Sequence, residues 1–163
     1  MILLGLGANL PSSAGPPLAT LEAALAALQA AGVRLVARSR WYRTAPVPAS
    51  DQPWFVNAVV SVETDLEPPE LLALLQKIEL AFGRRRGVPN AARTLDLDIL
   101  DYEGRVEEKA GLTLPHPRLH ERAFVLLPLH DVAPSWRHPT RGKTVTELIA
   151  ALPAGQTATP FDP

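Results

Sequence analysis

Asp96 and Asp98 carry the strongest chemical signal in this chain. They lie in Arg93-Thr94-Leu95-Asp96-Leu97-Asp98-Ile99-Leu100, where apolar and polar side chains alternate. A period of two predicts a β-strand, because successive side chains leave opposite faces. Leu95, Leu97 and Ile99 then share a core face. Thr94, Asp96 and Asp98 share the other, with the carboxylate-bearing Cβ atoms about 6–7 Å apart. Asp is a poor strand former, and like charges on one face repel. A cation resolves both difficulties, since two carboxylates at i and i+2 offer the oxygen ligands that one or two hard divalent ions prefer. A solvated acidic edge strand would show the same pair, but Arg84, Arg85, Arg86 and Arg93 lie close by. Carboxylates that hold Mg²⁺ beside guanidinium groups that hold phosphate describe a nucleotide site.

Other candidates are weaker alone. Residues 54–64 read as a strand with Val56, Ala58, Val60 and Val62 on one face and Phe55, Asn57, Val59 and Ser61 on the other. An amide and an aromatic ring then stand side by side, and Asn is depleted inside strands. Glu79 falls in the last turn of a predicted helix, the unfavourable end for an anion. His116 and His120 have metal-ligand spacing for a helix, but Pro115 and Pro117 argue against a regular helix there and against zinc.

These residues must be positioned by a small set of elements. The 163 residues suit one domain with a proper core. A net charge of −1 gives no global basic field to attract nucleic acid. No cysteine is present, which excludes disulfides, thiolate metal sites and a cysteine nucleophile. The opening residues lack a basic leader and their apolar run is too short to span a bilayer, so a cytoplasmic location is expected. The first strand, 1–6, ends in Gly5-Leu6-Gly7-Ala8-Asn9. With Leu10 where a third glycine would stand, this is not a dinucleotide-binding turn.

Leu18, Leu21, Leu25 and Leu28 predict a helix over 17–31, stopped by Gly32. Residues 33–42 alternate as a second strand. A second helix is predicted over 65–83, with Leu71, Leu75, Ile78 and Phe82 as its core stripe. The proline-rich stretch 44–53 and the basic stretch 83–92 are long loops of the kind that usually carry function. A short helix is expected over 118–129 with Pro128 near its end, and Thr144 with Glu147 forms a capping box for a last helix through Leu152. The tail, 153–163, reads as poorly ordered. The order βαββαβ followed by C-terminal helices predicts an α+β fold: a ferredoxin-like antiparallel sheet with two helices on one face. The opposite face is left for Asn57, Asp96 and Asp98.

Taken together, Trp41-Tyr42-Arg43-Thr44-Ala45-Pro46, Asp51-Gln52-Pro53, Asn57, Gln76 with Glu79, the Arg93–Ile99 string, Pro115-His116 and Arg122-Ala123-Phe124 resemble the 6-hydroxymethyl-7,8-dihydropterin pyrophosphokinase family. The resemblance runs in order from Gly5 to about Pro134. It implies a ferredoxin-like α+β sandwich that moves pyrophosphate from ATP to the pterin hydroxymethyl group in folate biosynthesis. It further implies that Asp96 and Asp98 bind two Mg²⁺ ions, and that Asn57 and backbone groups from Thr44 through Pro46 to Val47 hold the pterin between Phe55 and Phe124. Gln76, Glu79, Arg84, Arg93, Thr113, His116 and Arg122 would serve ATP, with Arg84 and Arg93 also catalytic. Partners are the two small molecules, without nucleic acid or membrane, and a monomer is expected.

Three departures stand out. Pro89-Asn90-Ala91-Ala92 replaces a Trp-Gly-Pro-like segment, Phe55 replaces a commoner tyrosine, and Pro117 stands where a tyrosine can occur. A ferredoxin-like RNA-binding module would need aromatics on the first and fourth strands, which are missing. A regulatory domain without chemistry would leave the Asp pair unexplained. A nucleotidyltransferase also uses paired aspartates and is separated only by its products.

Overall fold

The computed structural model describes residues 1–84, 92–109 and 111–163. A mixed sheet-and-helix architecture is built on β1 (Ile2–Ala8), β2 (Arg34–Arg38), β3 (Trp41–Thr44), β4 (Phe55–Glu63), β5 (Asp96–Tyr102) and β8 (Ala158–Phe161). Their order is β5-β1-β4-β3-β8, with β2 also paired to β4, and every pairing is antiparallel. A separate hairpin joins β6 (Glu107–Lys109) to β7 (Leu112–Leu114). No described helix is long and apolar enough to cross a membrane.

The sheet buries both faces, each for a reason visible in its residues. Ile2, Leu4, Leu6 and Ala8 of β1 share one face with Ala58, Val60 and Val62 of β4 and Leu97 and Ile99 of β5. Helices α1 (Pro17–Ala30) and α2 (Pro68–Ala81) cover it with Leu21, Leu25 and Leu28 and with Leu71, Leu75 and Ile78. Gly32 follows α1 at φ +90°, which lets the Val33 amide return to the Leu28 carbonyl and closes the helix. Helix α2 opens on a capping box between Glu67 and Glu70. On the opposite face Leu3, Val59 and Leu100 pack under α3 (Ala123–Val132) and α4 (Val145–Ala150), so part of the face expected to be free for the site is a second core.

Four expectations need correction. The strand expected over 33–42 is two strands. Between them the Ser39 amide still donates to the Val59 carbonyl at 2.9 Å, but the Val59 amide is taken by the Ser39 hydroxyl at 3.0 Å, which donates on to the Arg40 carbonyl at 2.7 Å, so a side chain replaces one ladder bond. The Asp strand begins only at Asp96, because the Arg93 carbonyl is taken by the Asn9 and Leu10 amides at 3.0 and 3.1 Å. The helix expected over 118–129 is a 3-10 turn, Leu119–Glu121, then α3; Arg122 between them is extended, and Pro128 lies inside α3. The tail is ordered. Its β8 satisfies the free edge of β3, with Trp41 opposite Phe161 and the Arg43 guanidinium 4.6 Å from the Phe161 ring.

Candidate functional site

Two rows across the sheet assemble the site. One row runs Asp96 of β5, Gly7 of β1, Asn57 of β4 and Tyr42 of β3; the next pairs Asp98 with Gly5 and Gly5 with Val59. Glycine weakens a strand, so two of them inside β1 need a local reason. At Gly7 the reason is space: a Cβ there would lie 2.6 Å from Asn57 Nδ2. Bare backbone at Gly7 lets Asn57 lie across β1 toward the Asp strand.

Asn57 is buried and oriented. Its Oδ1 accepts from the Thr44 hydroxyl at 2.5 Å, and its Nδ2 donates to the Leu6 carbonyl at 3.4 Å. A cavity of about 590 Å³ opens beside it, lined by Thr44, Pro46, Val47, Phe55, Phe124 and Arg93 among others. Asp96 and Arg122 form its polar end. A shallower cleft continues from Gly7, Asn57, Asp96 and Phe124 to Asp98 and Leu100.

The polar end is held by a chain of charged groups. Glu79 is only 2% exposed on α2, and its Oε2 accepts the Leu97 backbone amide at 2.8 Å. The same carboxylate pairs with Arg84, whose Nη1 also donates to Asp96 Oδ1 at 2.8 Å. Arg93 Nη1 reaches that oxygen at 2.9 Å. An anion at the wrong end of a helix is thus offset by a strand amide and a guanidinium. Asp98 has no hydrogen-bond or ion-pair partner among the described residues. Burial, then the charges of Asp96 and Glu79, push its carboxyl up to about 7. Burial also lowers the pKa of Arg122, against the pull of Asp98.

A divalent cation fits this donor set. It would neutralise a carboxyl that is costly to ionise alone, and hard oxygen donors suit Mg²⁺. Among the described residues no cluster of three or more His, Asp or Glu could hold a metal, so the Asp pair would leave further ligand positions to phosphate oxygens or water.

The structure divides the residues expected to serve ATP. Arg84, Arg93, Glu79 and Arg122 gather at the Asp pair, whereas Gln76 is half-buried on α2, one turn before Glu79. Thr113 and His116 instead line a second cavity of about 640 Å³ with His120, His138 and Arg141. Burial and the charge of Arg122 lower the His116 pKa to about 4. Its Nδ1 accepts the Arg118 amide at 3.2 Å. Arg85, Arg86 and the segment Pro89-Asn90-Ala91 lie outside the described residues.

Sequence reasoning gave Gly7 and Gln52 no place in the cavity that they line, and missed Asn9 beside them. Buried Asn9 donates to Gln52 Oε1 at 3.1 Å and to the Pro53 carbonyl at 3.0 Å, and accepts the Arg93 amide at 2.7 Å. The available signal was a glycine within a strand, which marks a close approach even where no dinucleotide fold exists.

Comparison with known proteins converges on one family. Residues 3–134 match the family described as 7,8-dihydro-6-hydroxymethylpterin-pyrophosphokinase. The chain is 44% identical over 154 residues to the 2-amino-4-hydroxy-6-hydroxymethyldihydropteridine pyrophosphokinase of Methylorubrum extorquens, covering 93% of this chain and 94% of that one. It is 43% identical over 148 residues to the protein of the same name from Synechocystis sp., covering 90% of this chain and 73% of that one. Among solved structures it is similar in fold to Plasmodium falciparum HPPK-DHPS with pteroate, at a TM-score of 0.72 and 16% identity. That match covers 92% of this chain and 44% of the solved chain, so the likeness concerns less than half of the larger protein. A match over most of the length, in a chain whose Asp pair, arginines and amide-floored cavity share one sheet face, means that this chain belongs to the 7,8-dihydro-6-hydroxymethylpterin-pyrophosphokinase family.

Proposed function

We infer that this chain, acting as a single domain, transfers pyrophosphate from ATP to the hydroxymethyl group of 6-hydroxymethyl-7,8-dihydropterin, giving the pterin diphosphate and AMP in folate biosynthesis. The observation that carries the reading is the continuity of one site. A cavity floored by Asn57 and lined by Phe55 and Phe124 runs into Asp96, Asp98, Arg93 and Arg122. The strand order β5-β1-β4-β3, with α1 and α2 on one face, supports reading the core as ferredoxin-like.

The pterin ring enters between Phe55 and Phe124, and Asn57 pairs with its edge, an amide matching a heteroaromatic donor and acceptor. Thr44 holds the amide's orientation from behind. The hydroxymethyl group then points to the polar end, where its oxygen attacks the β-phosphorus in line and AMP leaves. Little covalent work falls to the protein, so placement and charge carry the rate. Arg84, Arg93 and Arg122 face the phosphates, and Glu79 keeps Arg84 and the start of β5 in place. Asp96 and Asp98 would hold two Mg²⁺ ions. When bound, these supply positive charge against the phosphate oxygens. Gln76, Thr113 and His116 would contact the nucleotide beyond them. The stretch 44–53 walls the pterin cavity through Thr44, Ala45, Pro46, Val47 and Gln52, and excludes water that could intercept the phosphoryl group.

The test is a single incubation of the protein with ATP, Mg²⁺ and 6-hydroxymethyl-7,8-dihydropterin. AMP appearing in step with pterin diphosphate supports the assignment. ADP, or no turnover, overturns it.

A further inference from the structure

The C-terminal segment is built into both walls of the pterin cavity. Strand β8 pairs with β3 as far as Thr44 opposite Ala158. The ladder then continues, the Ala45 amide donating to the Thr157 carbonyl at 3.1 Å. Thr44 and Ala45 belong to one wall. One residue further back, Gln156 reaches the other wall. Its Oε1 accepts the Ala123 amide at 2.9 Å, and its Nε2 donates to the Glu121 carbonyl at 2.7 Å.

Those two bonds bracket Arg122. That residue is the extended hinge between the 3-10 turn and α3, and it provides no side-chain cap for the helix that follows. A helix leaves its first amides without internal partners, and an uncapped end frays. Gln156 supplies the missing acceptor from a distant part of the chain. Arg122 and Phe124 both line the cavity, and the Arg122 guanidinium lies 5.3 Å from the Phe124 ring. Whatever sets the start of α3 therefore sets the spacing between Phe124 and the wall that carries Thr44.

The geometry points to Gln156 as a positioning residue for the reaction: through Ala123 and Glu121 it holds Arg122 and Phe124 at the width a flat pterin ring requires. The inference rests on the proposed reaction, but its structural part does not depend on turnover. Gln156 touches no reacting atom and acts through the backbone of α3.

Gln156→Met keeps the side chain's length and removes both hydrogen bonds. Gln156→Glu restores an acceptor for the Ala123 amide and loses the donor to Glu121. Two readouts are taken on each. Hydrogen exchange at the Ala123 amide should quicken by about tenfold in Gln156→Met and recover in Gln156→Glu. The KM for the pterin should rise by about three- to tenfold in Gln156→Met, with kcat close to the parent and partial recovery in Gln156→Glu. A purely structural contribution would lower the melting temperature and the amount of active protein while leaving that KM unchanged, and this pattern overturns the inference. Unchanged exchange at Ala123 overturns it as well. If the parent protein makes no pterin diphosphate, the proposed reaction fails, while the exchange result still decides whether Gln156 holds α3.

Discussion

Gly7→Ala isolates the geometry of the pterin floor with one added methyl. The Cβ would stand 2.6 Å from Asn57 Nδ2, about 0.8 Å inside the 3.4 Å at which ordinary contact begins. Asn57 has little room to withdraw, because Thr44 holds its oxygen at 2.5 Å and β4 holds its backbone against both neighbours. The amide must rotate off its partners or off the position from which it meets a ligand. One hydrogen bond to a buried polar edge is worth about 1–3 kcal/mol when its loss leaves the partner unpaired. That corresponds to about 5- to 150-fold in pterin affinity. The fold should lose less, since alanine costs a strand less conformational entropy than glycine by about 0.5–1 kcal/mol, which offsets part of any hydrogen bond that Asn57 gives up. Affinity and stability are therefore expected to diverge. Calorimetric titration with the pterin in the presence of a non-hydrolysable ATP analogue measures the first, and thermal melting the second. Gly5→Ala is the control, because its Cβ would only touch the Leu100 side chain at 3.4 Å. Pterin affinity within twofold of the parent in Gly7→Ala would refute the steric argument and, with it, the placement of Asn57 as the ligand's floor.

Three further outcomes follow from the same geometry. Asp96→Ala and Asp98→Ala should each cut turnover by several orders of magnitude, while Asp98→Asn without Mg²⁺ should melt a few degrees higher above pH 7, where the parent's half-buried carboxyl is ionised; near-normal activity of either alanine variant at saturating Mg²⁺ would end the two-metal proposal. Phe55→Ala, Phe124→Ala and Asn57→Leu should weaken pterin binding by about tenfold or more and spare ATP affinity measured alone, and three parent-like titrations would move the pocket elsewhere. The pKa of His116 is lowered to about 4, and that of buried His138, whose Nδ1 accepts the Thr140 and Arg141 amides, is also lowered. Between pH 4 and 6.5 these imidazoles bind more protons in the unfolded chain, so their share of stability is complete above pH 6.5 and is lost as pH drops, by about 1–2 kcal/mol for half-buried His116, while Asp98, whose carboxyl is raised to about 7, acts in the opposite sense; an acid slope left unchanged by His116→Asn would disprove its share.

What the sequence determined by itself was local and periodic. Alternation at 95–99 placed Leu97 and Ile99 in the core and the Asp pair opposite, leucine spacing located α1 and α2, and Thr144 with Glu147 marked the start of α4. Each of these signals lies within a few residues of the element it specifies, where side-chain period and hydrogen-bond reach act directly. Family resemblance named Thr44, Pro46, Val47, Phe55, Asn57, Arg93, Asp96, Arg122 and Phe124, which the structure gathers at one cavity, and Thr113 and His116, which it places at another. The remainder needed partners distant in the chain. Glu79 reads as an ill-placed surface anion until the Leu97 amide and Arg84 meet it. Gly7 reads as a turn residue until β4 brings Asn57 against it. Residues 153–163 carry no period and several turn formers, yet four of them become β8, because the unpaired edge of β3 offers hydrogen bonds that only the assembled sheet presents.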